Sequence, residues 1–350
     1  MQDISMKNNR QHFYLVLLVF LLVAFCTAGE STNKSGTTAA QFLKIGVGAR
    51  AMGMAGAFVS SVDDAYSLYW NPAALPKVQN PSLVAVFTDW FTDIRHQFLG
   101  FVLPINEASS VGVQATVLNM GTMEITTIGM PHGTGEFFNA RDLSIGLSYG
   151  IRLTNFFSVG ITGKYIEQEI YNESASTFAI DIGSVLDVPV RGMKLGMRLA
   201  NFGGKLQLDG RDLTREYDMN PENTLNVGVE TRLKTLPWEL PVLFQVGLSS
   251  EIIGSGEAFL TSENNRLILA ADGTHPMDAP EFAAFGLEYT FNDLISLRTG
   301  YRLNRDVEKF YYGLGIKVPF TGSSNFTFDY ALASFEELDY IHIFSGGIAF

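Results

Sequence analysis

Leu143-Ser-Ile-Gly-Leu-Ser-Tyr-Gly150 puts Leu143, Ile145, Leu147 and Tyr149 on one face of an extended strand, with only Ser and Gly on the other. The same period of two returns along the chain. Phe157, Val159, Ile161 and Tyr165 alternate with Ser158, Gly160, Thr162 and Lys164, and Phe178, Ile180 and Ile182 with Ala179, Asp181 and Gly183. Leu287, Tyr289 and Phe291 alternate with Gly286, Glu288 and Thr290, and Ile295, Leu297 and Tyr301 with Ser296, Arg298 and Arg302. Phe310 to Phe320 and Phe326 to Leu332 repeat the pattern, with Tyr311, Gly313, Gly315, Lys317, Thr327, Asp329 and Ala331 on the minor face. A soluble antiparallel sandwich alternates too. These segments, however, run to about ten residues, which a tilted strand needs to cross a bilayer, whereas globular strands average about five or six. Tyr and Phe recur near segment ends, as interfacial girdles require. The expected fold is all-β: an antiparallel up-and-down transmembrane β-barrel.

The last segment, Tyr340-Ile-His-Ile-Phe-Ser-Gly-Gly-Ile-Ala-Phe350, alternates and stops on an aromatic. With Phe344 and Phe350 it resembles the signal read by the barrel-assembly machinery. Tight turns are expected near 153–155, 188–190, 292–293 and 320–324, and longer connections near 120–139, 171–175, 202–239, 273–280, 304–308 and 334–338. That is the pattern of short periplasmic turns and long outer loops. With both ends periplasmic the strand number is even. Assigning Leu225–Leu233 to an extension inside the long outer loop gives about fourteen.

Composition agrees. The net charge is −12 and charged residues make up 17% of the 350, which argues against a nucleic-acid partner, since phosphate binding needs clustered Lys and Arg. A mean hydropathy of +0.14 is low for a bundle of membrane helices and ordinary for a barrel apolar on one face. Lys7 and Arg10 precede an apolar run from Phe13 to Phe25, followed by Thr27, Ala28 and Gly29. This is the order of a secretory signal, and residues 1–28 are assigned to it. Cys26, the single cysteine, falls within that segment. Cleavage after Ala28 leaves no thiol for a disulfide, nucleophile or metal.

Residues 29–80 do not alternate and are assigned to an N-terminal segment and luminal hatch, with 81–350 as the barrel. The glycines of 46–53 depart from the dinucleotide spacing G-x-G-x-x-G. Close-packed small residues instead fit a short helix and turns inside a lumen. Asp63 and Asp64 are expected to point apart and to cap the helix containing Ala65–Trp70, with no metal. Gly48-Ala-Arg-Ala-Met-Gly-Met-Ala-Gly-Ala-Phe58, Asp63-Asp-Ala65 and Trp70-Asn-Pro-Ala73 resemble the N-terminal signature of the PorV/PorQ family, nearer PorV. Gly48, Arg50, Gly53, Gly56, Asp63, Asp64, Trp70, Asn71 and Pro72 carry that motif. The resemblance continues at Asn201-Phe-Gly203, Gly210-Arg-Asp-Leu213, Asn265–Asp272, His275-Pro276 and Leu297–Tyr301. The 252–263 connection departs from it, being longer than a tight turn.

The resemblance implies a fatty-acid-transporter-like barrel in the bacterial outer membrane, working in type IX secretion. Its partners would be outer-membrane lipid, the translocon, the C-terminal signal domains of cargo and a surface attachment complex containing a sortase. Phe137, Phe138, Leu206, Leu208 and Tyr217, in the connections 120–139 and 202–239, are candidate cargo contacts; interfacial anchoring of the same side chains is the plainer alternative. Passive transport of hydrophobic small molecules such as fatty acids is the second function. No enzyme is expected. His96, His132, His275 and His342 show no paired spacing, the G-x-S-x-G string at Gly146–Gly150 lies inside an alternating strand segment and not on a strand-to-helix turn, and no cofactor is implied. Asp181, Glu288, Arg298, Arg302, Lys317 and Asp329 should face the lumen and pair across neighbouring strands.

Overall fold

The alternating segments become strands whose small faces point inward. A computed structural model of the chain describes residues 36–188, 192–218, 222, 228–256, 258–321, 324–335 and 340–350; the expected export signal and Cys26 lie outside the described residues. The strands are β1 Ser82–Asp89, β2 Arg95–Asn106, β3 Ser109–Glu124, β4 Phe137–Thr154, β5 Phe157–Ile170, β6 Glu173–Val188 and β7 Met193–Gly203. They continue as β8 Leu243–Gly254, β9 Asn265–Pro276, β10 Phe282–Phe291, β11 Ile295–Leu303, β12 Phe310–Thr321, β13 Ser324–Ser334 and β14 Tyr340–Ala349. Each pairs antiparallel with the next, and β14 returns to β1 with Ser345 opposite Val86. The sheet has sixteen strands; two are the short pieces Asp209–Gly210 and Leu260–Thr261, leaving a closed barrel of fourteen. Of the proposed outer extension, Val229–Arg232 pairs with Thr214–Tyr217 in a separate sheet, whereas 225–227 lie outside the described residues. Among the described residues no helix is long and apolar enough to cross a membrane.

One end of the barrel has short turns. Residues 107–108, 155–156 and 292–294 are short connections there. Asn292 and Asp293 both have positive φ, 51° and 54°, the backbone of a tight hairpin turn that Asn and Asp tolerate. The opposite end carries the connections 125–136, 204–242, 277–281 and 304–309. In membrane barrels of this type the short turns are periplasmic and the long loops extracellular. The long 255–264 connection lies at the short-turn end, where Leu260–Thr261 pairs in parallel with the end of β8.

The lumen is filled from residue 40 to residue 78. Short helical turns at Gln41–Lys44, Ala49–Gly53, Ser67–Trp70 and Pro72–Lys77 are joined by tightly folded chain. Phe58, Leu68 and Leu75 are fully buried, and they form one core with inward wall residues such as Val86, Phe98, Tyr311 and Ile343. The inward glycines make room. A Cβ on Gly160 would lie 2.2 Å from the carbonyl carbon of Pro72, and one on Gly300 2.4 Å from that of Met54. The small residues of the alternating pattern are thus where the hatch backbone touches the wall.

Candidate functional site

Arg50 ties the hatch to the wall. Its Nε and Nη2 donate to the Glu288 carboxylate on β10, both at 2.8 Å. Its Nη1 meets Asp63 at 2.6 Å and Asp64 at 2.7 Å. The expectation that adjacent carboxylates point apart is therefore corrected: one guanidinium, with donors on several sides, draws both together. The capping expectation changes with it. The Ser67–Trp70 turn begins at Tyr66 without a side-chain cap, and Asp64 Oδ1 accepts the Tyr66 N–H at 3.0 Å one turn earlier. Burial opposes ionisation of Asp63, yet Arg50 outweighs it and holds the carboxyl well below its ordinary range. Burial pushes Asp64 up to about 6, with Arg50 opposing and the Asp63 charge adding to the rise. About a quarter of each side chain stays accessible, 26% and 29%, on the periplasmic side.

The rest of the motif is packing. Gly48 has φ +90° and leaves space for the Tyr66 ring, and Gly56, at φ +81°, lies under Trp70 and Arg302. A Cβ on Gly53 would come 3.0 Å from Gly313 on β12. Trp70 Nε1 donates to Val47 O at 2.8 Å. Asn71 caps the next turn by accepting from Ala73 N, while its Nδ2 donates to Val59 O and Ser184 O. Pro72 opens that turn, where its missing N–H is of no consequence.

The wall charges fall into separate groups. Asp181 on β6 pairs with Lys164 on β5 at 2.7 Å and Arg198 on β7 at 3.2 Å. It also accepts the Asn201 N–H at a register shift in the β6–β7 pairing, where Asn201 has φ +61°. Glu288 pairs with Arg298 on β11 at 2.6 Å, and Arg298 also reaches Asp329 on β13 at 2.6 Å. That second pair corrects the neighbouring-strand expectation. It crosses β12 at Gly315, where a Cβ would lie 2.2 Å from Asp329 Oδ1. Among the described residues no wall acid pairs with Arg302; its Nε donates to Ala55 O at 2.9 Å, and its Nη1 pairs with Glu308 in an outer loop. Lys317 is likewise corrected: 40% exposed at the periplasmic rim, it meets Asp293 of the turn.

Asp272 on β9 was not singled out as a site residue. It is 1% exposed, and its Oδ2 accepts the N–H groups of Phe58 and Val59 at 2.8 and 2.9 Å. Its signals in the sequence are an Asp in a strand and its place at the end of the Asn265–Asp272 stretch of the resemblance.

At the mouth the candidate contacts divide. Phe137 is 61% exposed, Leu208 39% and Tyr217 58%, and Phe138 packs edge-on against Tyr171. Leu206 is corrected: at 2% exposure it is buried with Ala40, Phe42, Leu43 and Leu240. The chain from 38 to 45 crosses the mouth there. Ala39 N donates to Glu239 O, and Thr38, Gln41 and Lys44 all bind Asp278. Phe344 is 40% and Phe350 55% exposed, and Phe350 N donates to Pro81 O.

The hatch separates two cavities. A lower one of about 310 Å³ is lined by Arg50, Asp63, Asp64, Glu288 and Arg298 and faces the periplasmic turns. An upper one of about 240 Å³ lies between the hatch and the outer loops. Among the described residues no group of His, Cys, Asp and Glu has the arrangement to hold a metal.

A closed fourteen-stranded antiparallel barrel with exposed apolar side chains around its wall and a plugged, ion-paired lumen is a bacterial outer-membrane protein. Solved barrels share the fold. The CymD monoaromatic hydrocarbon channel superposes with a TM-score of 0.57 at 13% identity, covering 87% of this chain and 98% of its own. The Pseudomonas putida toluene transporter TodX gives 0.56 at 12%, covering 87% and 99%. A Pseudomonas aeruginosa FadL homologue gives 0.53 at 12%, covering 87% and 98%. No curated protein sequence matches the chain. Residues 28–211, just over half of the 350, match the family described as Type IX secretion system protein PorV, and the chain belongs to that family. It is an outer-membrane barrel of type IX secretion.

Proposed function

We propose that this barrel holds the C-terminal signal domain of exported cargo at its extracellular mouth and carries it from the translocon to the sortase-containing attachment complex. The observation that carries the reading is the 204–242 connection, standing on a barrel whose lumen is closed. It presents Tyr217 at 58% exposure, Val229 at 63%, Leu236 at 72% and Trp238 at 45%. Apolar side chains clustered on loops beyond the strands, and not on the wall, mark a protein-binding surface. Membership in the PorV family supplies the pathway. Passive transport draws support only from the shared fold, which is no guide to function, and the packed hatch stands in its path.

The test replaces Leu208, Tyr217, Val229 and Leu236 together by Ser. The variant should reach the outer membrane at normal abundance and keep its heat-modifiable migration, while cargo with a C-terminal β-domain no longer co-purifies. Unchanged cargo recovery would remove the loop from the interface.

A further inference from the structure

One carboxylate gathers the chain that crosses the mouth. Asp278, 2% exposed in the connection between β9 and β10, accepts from Thr38 Oγ1 at 2.5 Å, Gln41 Nε2 at 2.8 Å and Lys44 Nζ at 2.9 Å. The spacing follows from local structure. Gln41–Lys44 is a 3₁₀ turn, in which residues three apart eclipse, so Gln41 and Lys44 leave it on one side. Ala40, at φ 50° and ψ 44°, turns the chain into it from the bridge between Thr38 and Glu239. Burial opposes ionisation of Asp278, and the hydrogen bonds from Gln41, Thr38 and Lys44 outweigh it, holding the carboxyl below its ordinary range. The residues between are apolar: Phe42 and Leu43 are buried with Leu206 and Leu240.

Leu206 and Leu240 stand at the two ends of the 204–242 connection, and the exposed Tyr217, Val229 and Leu236 lie between them. The stems of that connection pair as Lys205–Leu206 with Trp238–Glu239. So short a ladder cannot hold a long loop alone, since even an isolated full hairpin is marginal in water. The crossing chain reinforces both stems. Ala39 N donates to Glu239 O at 2.9 Å, and Phe42 and Leu43 help to bury the stem leucines at 2% and 3% exposure. We propose that Thr38–Lys44 is a strap, latched on Asp278, that fixes the posture of the 204–242 connection and with it the surface offered to cargo. This rests on the cargo reading of that connection. The apolar cluster under the strap is separate from the core of the hatch, so the latch opens without uncovering the plug. Tyr69 Oη, donating to Ile45 O at 2.9 Å, marks where strap meets hatch. A loop held in one posture beforehand avoids the ordering cost that a free loop meets on binding.

The test reads the loop and the cargo separately, on the full barrel in outer membranes. A nitroxide on Lys234→Cys, an exposed position of the connection, reports loop motion by its spectral line shape. Asp278→Ala should mobilise the label while barrel abundance and heat-modifiable migration stay normal. Cargo recovery should fall about tenfold, as for a loop correctly placed in about one molecule in ten. An unlabelled second variant, Thr38→Cys with Glu239→Cys, joins the two bridge partners. Reduced, it should bind cargo as Asp278→Ala does; with its disulfide formed it should bind as the parent does, so one folded molecule supplies both states. A label equally restrained in Asp278→Ala and the parent would overturn the latch, as would an oxidised double-cysteine form that stays as weak as the reduced one. A label set loose with cargo recovery unchanged would leave the latch standing and remove the connection from the cargo surface, which separates the two failures.

Discussion

Replacing Glu288 by Ala removes the wall end of the Arg50 contact. Glu288 is 3% exposed and accepts two hydrogen bonds from Arg50 and one from Arg298. Breaking a buried pair by deleting one partner costs about 3–5 kcal/mol, because the other charge stays buried and short of a counter-ion. Here Arg50 retains Asp63 and Asp64, and Arg298 retains Asp329, so the low end, about 3 kcal/mol, is the better figure. At about 1.4 kcal/mol per decade this raises local opening of the hatch by on the order of a hundredfold. Hydrogen exchange followed by mass spectrometry reads it. Peptides covering 49–70 should lose protection while those from β3 to β5, remote from Glu288 in the sheet, do not. Lys317→Ala is the control: its partner is 72% exposed, and surface pairs contribute about 0–1 kcal/mol. Equal hatch protection in Glu288→Ala and the parent would refute the claim that this contact holds the plug.

Three further outcomes follow from the same geometry. Gly160→Val should displace the Pro72–Lys77 turn, because even a Cβ there sits 2.2 Å from the Pro72 carbonyl carbon; heat-modifiable gel migration should show a lowered transition temperature, and an unchanged one would contradict the close approach. Asp64 has its folded pKa raised from 3.8 to about 6, so its contribution favours the hatch below about pH 4 and is lost as pH rises through 6. Asp63 is shifted the other way, and its contribution disappears only in strong acid. Asp64→Asn should therefore flatten hatch protection between pH 4 and 7; a profile parallel to the parent would refute the assignment. Leu206→Ala should loosen the chain crossing the mouth by about 2–5 kcal/mol, the range for truncating a buried leucine. A Thr38→Cys reporter should then react faster with an impermeant maleimide, and an unchanged rate would place the cover elsewhere.

The strands were legible because a membrane wall imposes the period of two on every crossing, and Asn292-Asp293 advertised its turn by residue type. Contacts between hatch and wall left no local trace. Arg50 and Glu288 are 238 residues apart, and neither period nor spacing joins them until the barrel closes. Leu206 reads as a loop apolar residue because the chain that covers it, Ala40 to Leu43, comes from the far end of the sequence. The Arg298–Asp329 pair required a neighbouring strand to lack a side chain, which Gly315 provides but does not announce. Alternation assigned Lys317 a face without assigning it a depth, and depth decides whether a charge is buried or sits at the rim.

The same geometry bears on how the plug could ever open. Inward glycines on β4, β5, β7, β10 and β11 leave the wall without side chains where hatch backbone meets it, so an empty lumen would have no core of its own. Removing the hatch as a unit would also uncover Phe58, Val59, Val62, Leu68, Trp70 and Leu75, all nearly or wholly buried. At about 1.5–3 kcal/mol for each such side chain, that loss is on the order of 10 kcal/mol before any ion pair is broken. Ejection of the plug is therefore far less accessible than a local rearrangement near Asp63 and Asp64, where the side chains already meet water. Any rearrangement of the hatch is therefore easiest on its periplasmic side, where Asp63 and Asp64 already meet water.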